Sequence, residues 1–123
     1  MQYDKQAMPL YLPVKVDLSA AAGNVFTYTA EKDFNIRDIS FFLTEATGAT
    51  VGHSASVDVG GVEKAVFTPA TNKAVGTVLT PDTAIKTGIP IAVTAGTAIA
   101  VNVKTSAAQP GEGYIYLWIQ EEA

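Results

Sequence analysis

The 123-residue chain contains no cysteine and a single histidine, His53. Without cysteine there are no disulfides and no thiolate metal sites, so packing or assembly must hold the fold together. With one histidine there is no pair to build a zinc or iron centre. Charge is also scarce. Eight Lys and Arg and twelve Asp and Glu make up 16% of the residues and leave a net charge of −4. The basic residues are scattered, which argues against nucleic acid as a partner, because phosphate binding needs clustered Lys and Arg. No apolar run approaches the ~20 residues that cross a bilayer, so no membrane partner is expected. The opening MQYDKQAM has an early acid and lacks the apolar stretch of a secretory signal, which fits synthesis in the cytoplasm.

Chemical motifs are missing as well. There is no G-x-S-x-G, no phosphate-binding glycine loop, no calcium loop and no N-x-[ST] sequon. Three carboxylate pairs stand close in sequence: Asp33 with Asp38, Asp58 with Glu63, and Glu121 with Glu122. Asp58 and Glu63 flank Gly60-Gly61 and would face each other across a hairpin, as paired acids in glycoside hydrolysis do. Turn acids that bond their own backbone are the simpler reading. The expectation is a protein that is not an enzyme, has no catalytic residues, and takes no cofactor or metal.

What the chain does contain is period-two alternation. Val14, Val16 and Leu18 alternate with Lys15 and Asp17, and Pro9 and Pro13 beside them point to an edge strand. Val25–Thr29 is rich in β-branched and aromatic residues. In Phe34–Leu43, Phe34 and Ile36 share one parity while Ile39, Phe41 and Leu43 share the other. A strand changes faces only by inserting a residue, so a bulge or bend is predicted near Arg37 and Asp38. Strands are also predicted over Val51–Val59 and Val62–Phe67, joined at Gly60-Gly61, and at Val75–Leu79, Ile85–Lys86, Ile89–Val93, Thr97–Lys104 and Gly113–Gln120. Eight to ten short strands with regular turn signals and no amphipathic helix indicate an all-β, antiparallel sandwich or barrel. At 12.9 kDa the chain is one domain. It divides into an N-terminal arm (1–8), a β-domain (9–120) and an acidic tail (121–123).

Two features stand out as candidate sites. Tyr114, Tyr116 and Trp118 put three large rings on one strand face, opposite the aliphatic Ile115, Leu117 and Ile119. Such a row completes a core layer, forms a subunit interface, or stacks on sugars. His53 lies on the apolar parity of its strand, which suits a hydrogen-bonded core or interface histidine. The sparse charge has two readings: a Thr-rich sheet face, or a surface covered by other subunits.

Three segments carry a family resemblance. Phe26–Ala30 running on through Phe34–Phe41, Ile89–Val101 with its Gly96 turn, and the closing Gly113–Ile119 together resemble the small jelly-roll decoration (cement) and minor head proteins of tailed bacteriophages. The resemblance spans about residues 9–120. It implies a jelly roll of about eight strands and a homotrimer that binds the major capsid protein on the outer surface of the virion head. It further implies that the arm and loop tips touch the shell, with Tyr3, Met8, Leu10 and Tyr11 as the contact residues. Receptor-binding heads of phage fibres share the same style, and there the aromatic row would bind carbohydrate.

Overall fold

The computed structural model describes residues 9–50, 52–82 and 90–121, with the backbone alone for Pro9 and Leu10. Among the described residues nine strands follow in order: β1 Pro9–Asp17, β2 Gly23–Thr29, β3 Phe34–Glu45, β4 Ser54–Val59, β5 Val62–Phe67, β6 Val78–Leu79, β7 Ile91–Val93, β8 Ala98–Thr105 and β9 Glu112–Glu121. Every pairing is antiparallel. The first sheet runs β1-β9-β3-β6, with β7 also on β3, and the second runs β2-β8-β4-β5. The chain is therefore all-β and two-layered, as its periodicity predicts.

The pairings are nested. β1 pairs with β9, β2 with β8, β3 with β7 and β6, and β4 with β5. The chain thus runs as one long antiparallel ribbon, folded over so that successive stretches fall in alternate sheets. Its tip is the Gly60-Gly61 turn, closed by the Val59–Val62 pair. Both glycines have positive φ, +60° and +80°. A two-residue turn that matches strand twist needs this conformation, and side chains with a Cβ resist it.

The core lies between the sheets. The first sheet contributes Val14, Val16, Ile36, Phe41 and the aliphatic side of β9; the second contributes Val57, Phe67, Ile99 and Val101. Phe41 and Phe67 meet edge to face across the layers, with centroids 5.7 Å apart and planes at 87°. Gly113 makes room for this contact, because a Cβ there would lie 2.6 Å from Phe41 Cε1 and overlap the Phe42 carbonyl. The predicted break in β3 is present. Pairing with β9 skips Arg37, between Ile36 and Asp38. One inserted residue lets Phe34 and Ile36 share the buried face with Ile39, Phe41 and Leu43.

Several boundaries differ from the alternation. β1 starts at Pro9 and runs through Pro13, which its edge position permits, since an edge strand leaves one side without ladder partners. β2 starts at Gly23, and a bulge at Val25 leaves that side chain 41% exposed. β4 starts only at Ser54. The strand expected over Val75–Leu79 shrinks to Val78–Leu79, because residues 74–77 form a turn with Gly76 at φ +90° and Thr77 N–H donating to Ala74 O. Glu121 ends β9 instead of opening a tail. The strand expected at Ile85–Lys86, the arm 1–8 and residues 122–123 lie outside the described residues.

Candidate functional site: the aromatic outer face of the first sheet

Alternation along β9 turns Ile115, Leu117 and Ile119 into the core and Tyr114, Tyr116 and Trp118 outward, where each is half-buried. The three rings therefore lie on the face opposite the core and do not complete its second layer. Register sets their neighbours. On β1, Tyr11 stands opposite Trp118, Pro13 opposite Tyr116 and Lys15 opposite Tyr114. On β3, Asp38, Ser40 and Phe42 hold the corresponding positions. Phe42 in turn pairs with Val78 on β6, which is 59% exposed. The sheet thus presents a continuous band from Tyr11 at one edge, over Trp118, Tyr116 and Tyr114, to Phe42 and Val78 at the other.

The rings are ordered against each other. Tyr11 and Trp118 stack at 5.8 Å with planes 23° apart, and Tyr114 and Tyr116 lie 6.3 Å apart with planes at 38°. Trp118 Nε1 is covered by its surroundings and has no hydrogen-bond partner among the described residues. Lys15 closes one corner of the band through a 3.0 Å ion pair with Glu112. The hydrogen bond and charge of Glu112 raise the Lys15 pKa above its ordinary value. A band of this composition, with few charges at its centre, has the character of a protein–protein interface core and equally of a sugar-stacking surface.

Of the residues expected in a capsid-contacting arm, Tyr3 and Met8 lie outside the described residues. Leu10 and Tyr11 do not belong to a free arm. Both are in β1, laddered to Ile119 and Trp118, because the extended segment begins before Pro13. Tyr11 instead joins the aromatic band. Phe42 and Val78 complete it. The odd parity of Phe42 is visible in the sequence, whereas Val78 needs the short β6 to bring it alongside.

His53 is 1% exposed and sits just before β4. Its Nε2 is 3.1 Å from the Pro110 carbonyl oxygen. A carbonyl only accepts, so Nε2 donates to it, and Nδ1 is buried with no hydrogen-bond partner among the described residues. The adjoining backbone is tightly held: Gly111 N–H donates to Glu45 Oε1 and Gly111 O accepts from Leu18 N–H. A Cβ on Gly111 would come within 3.1 Å of His53 Nε2. The histidine is buried within one chain, where it ties the start of β4 to the loop before β9.

Of the acidic pairs, Glu121–Glu122 extends beyond the described residues, and Asp33–Asp38 and Asp58–Glu63 do not converge on a reacting position. Asp33 accepts from Ala95 N–H and Asp38 from Ile39 N–H, each at 2.9 Å. Asp58 and Glu63 are cross-strand partners, as the hairpin predicts. They turn to different groups, however: Asp58 to the Asn102 amide at 3.1 Å and Glu63 to Lys104 at 2.9 Å. Among the described residues no three His, Cys, Asp or Glu side chains are placed to hold a metal ion.

Comparison with protein-family models, with curated proteins and with solved structures gives no match, so the functional reading rests on the geometry of this chain.

Proposed function

We propose that this chain is a jelly-roll sandwich and serves as a structural surface protein of a tailed-phage head, a trimer that binds the major capsid protein and reinforces the shell. The nested ribbon supports the jelly-roll reading, since two interlocked Greek keys arise when a long hairpin is wound so that its successive pairs fall in alternate sheets. The aromatic band from Tyr11 to Val78 carries the functional reading. Large rings displayed outward on a chain with 16% charged residues suit a surface that other protein subunits cover.

In this reading the chain acts by mass action. A ligand that binds only the assembled shell lowers the free energy of that state by RT ln(1 + [L]/Kd), which is about 2.7 kcal/mol per site at a hundredfold excess over Kd. A trimer engaging several capsid subunits at once adds to this through effective concentration. The test is mass in solution by light scattering, for the chain alone and mixed with assembled phage heads. The proposal expects a trimer that co-elutes with heads; a monomer that binds none overturns it.

A second reading is a carbohydrate- or receptor-binding head domain of a phage fibre. The near-parallel Tyr11 and Trp118 rings favour it, because together with Tyr114 and Tyr116 they offer flat apolar surface to a sugar ring. Loss of glycan binding on Trp118→Ala, with the trimer intact, would select this reading over the first.

A further inference from the structure

The outer face of the second sheet is built differently from that of the first. Its inner strand β4 carries Ser54, Ser56 and Asp58 on that face, and beside the two serines stand the larger Asn102 and Lys104 of β8 and Val66 of β5. Small residues between taller neighbours make a trough over the Ser54–Ser56 end of β4. Ser54 and Ser56 accordingly are buried, at 6% and 3% exposure, although they face away from the core.

The trough has a strap. Lys104 lies on β8 and Glu63 on β5, and β4 runs between them, yet their charged groups meet at 2.9 Å. Lys104 sits near the Ser54 level and Glu63 is the cross-strand partner of Asp58. The pair therefore crosses β4 between these levels, where Ser56 lies. Beneath it, Asn102 donates to Asp58 and Ser56. Beyond the strap the trough opens into a groove of about 330 Å³, lined by Gly52, His53, Ser54, Val66, Thr68, Lys104 and Thr105. Its size falls at the lower end of the range for small-molecule sites.

The lining specifies a ligand class. Ser54, Thr68 and Thr105 supply hydroxyls that both donate and accept. The Lys104 ammonium is already paired with Glu63, so among the described residues the rim offers no free cation for an anion. His53, 1% exposed, borders the groove, while its ring turns inward to the Pro110 carbonyl and takes no part in the ligand's hydrogen bonding. Val66 and Gly52 give it an apolar wall. We infer that this groove binds a neutral polyhydroxylated ligand the size of one sugar ring, whose hydroxyls exchange hydrogen bonds with the Ser and Thr side chains and with Lys104. The site lies on the sheet opposite the aromatic band and does not depend on what that band binds.

The experiment is a titration of the full chain, followed by backbone amide NMR, with glucose, galactose, N-acetylglucosamine and glucuronate as separate probes. The inference expects saturable, millimolar shifts with at least one neutral sugar. They should be confined to Gly52–Ser54, Val66–Thr68 and Lys104–Thr105, with Tyr114–Trp118 unmoved. Ser54→Ala and Thr68→Val, checked for an unchanged thermal midpoint, should each weaken that binding about tenfold or more. Three outcomes overturn it: no saturable shift with any neutral sugar, shifts only along β9, or response to glucuronate alone.

Discussion

Tyr11 stacks on Trp118 across the β1–β9 ladder, with centroids 5.8 Å apart and planes 23° from parallel. The pair joins an edge strand to its neighbour and fixes the exposed end of the aromatic band. Tyr11 is 58% exposed, so the contact sits at the modest end of cross-strand aromatic pairs. Tyr11→Ala is expected to cost about 0.5–1 kcal/mol in chemical denaturation. Trp118 is the sole tryptophan, so its emission should also shift to the red as the ring gains solvent. Unchanged emission would mean that the stack does not shield the indole.

Arg37 is exposed, and its value lies in being an extra residue rather than in its side chain. Arg37→Ala should change stability by no more than about 0.5 kcal/mol. Deleting Arg37 is different, because it forces Phe34 and Ile36 onto the solvent face or drags the rest of β3 out of register. Losing burial of two large apolar side chains costs about 3–6 kcal/mol. Comparing the two variants by urea unfolding checks the bulge. Equal stability would contradict it.

Gly113 is required by packing. A methyl group there meets the Phe41 ring and the Phe42 carbonyl, and the carbonyl is backbone that cannot swing aside. Gly113→Ala should destabilise by about 1–3 kcal/mol through overpacking. Gly61→Ala tests the contrast, since nothing lies within 4 Å of its added Cβ and the cost there is conformational, about 1–2 kcal/mol for a left-handed residue. Calorimetry that finds Gly113→Ala neutral would contradict the close approach of β3 and β9.

Asp17 caps the turn after β1. Its Oδ1 accepts from the Ser19 hydroxyl at 2.6 Å and from Ser19 N–H at 2.9 Å. These bonds hold its pKa below the ordinary carboxylate value. A depressed folded-state pKa adds stability above the unfolded pKa, and that stability is lost as pH falls through the folded value. The stability difference between the wild type and Asp17→Asn should therefore shrink as pH falls from about 5 to about 2. A difference that stays constant over that range would show that the carboxylate charge is not what the turn uses.

Strand periodicity made the core legible. Alternation in β8 and β9 and the parity break at Arg37 each predict a buried face that the structure has. Less was visible where tertiary pairing decides. Pro13 reads as the beginning of a strand, yet β1 extends four residues before it because its free edge tolerates missing donors. The aromatic row could be read along β9, but not which side of the sandwich it would face, because both faces of a two-sheet strand accept large rings. Tyr11 read as part of an arm, since only the β1–β9 register brings it onto Trp118. The trough along β4 was hidden for a similar reason. Ser54 and Ser56 look like ordinary polar positions, and the ion pair that bridges them comes from residues 41 positions apart in sequence, Glu63 and Lys104.

A shell-binding role requires the aromatic band to be covered by other protein. Light scattering on the purified chain, alone and with assembled phage heads, measures this most directly. The expected result is a particle of about 39 kDa, three copies of the 12.9 kDa chain, that travels with the heads and dissociates when Trp118 and Tyr116 are replaced by serine. A monomer of unaltered mass that leaves the heads unbound would contradict it.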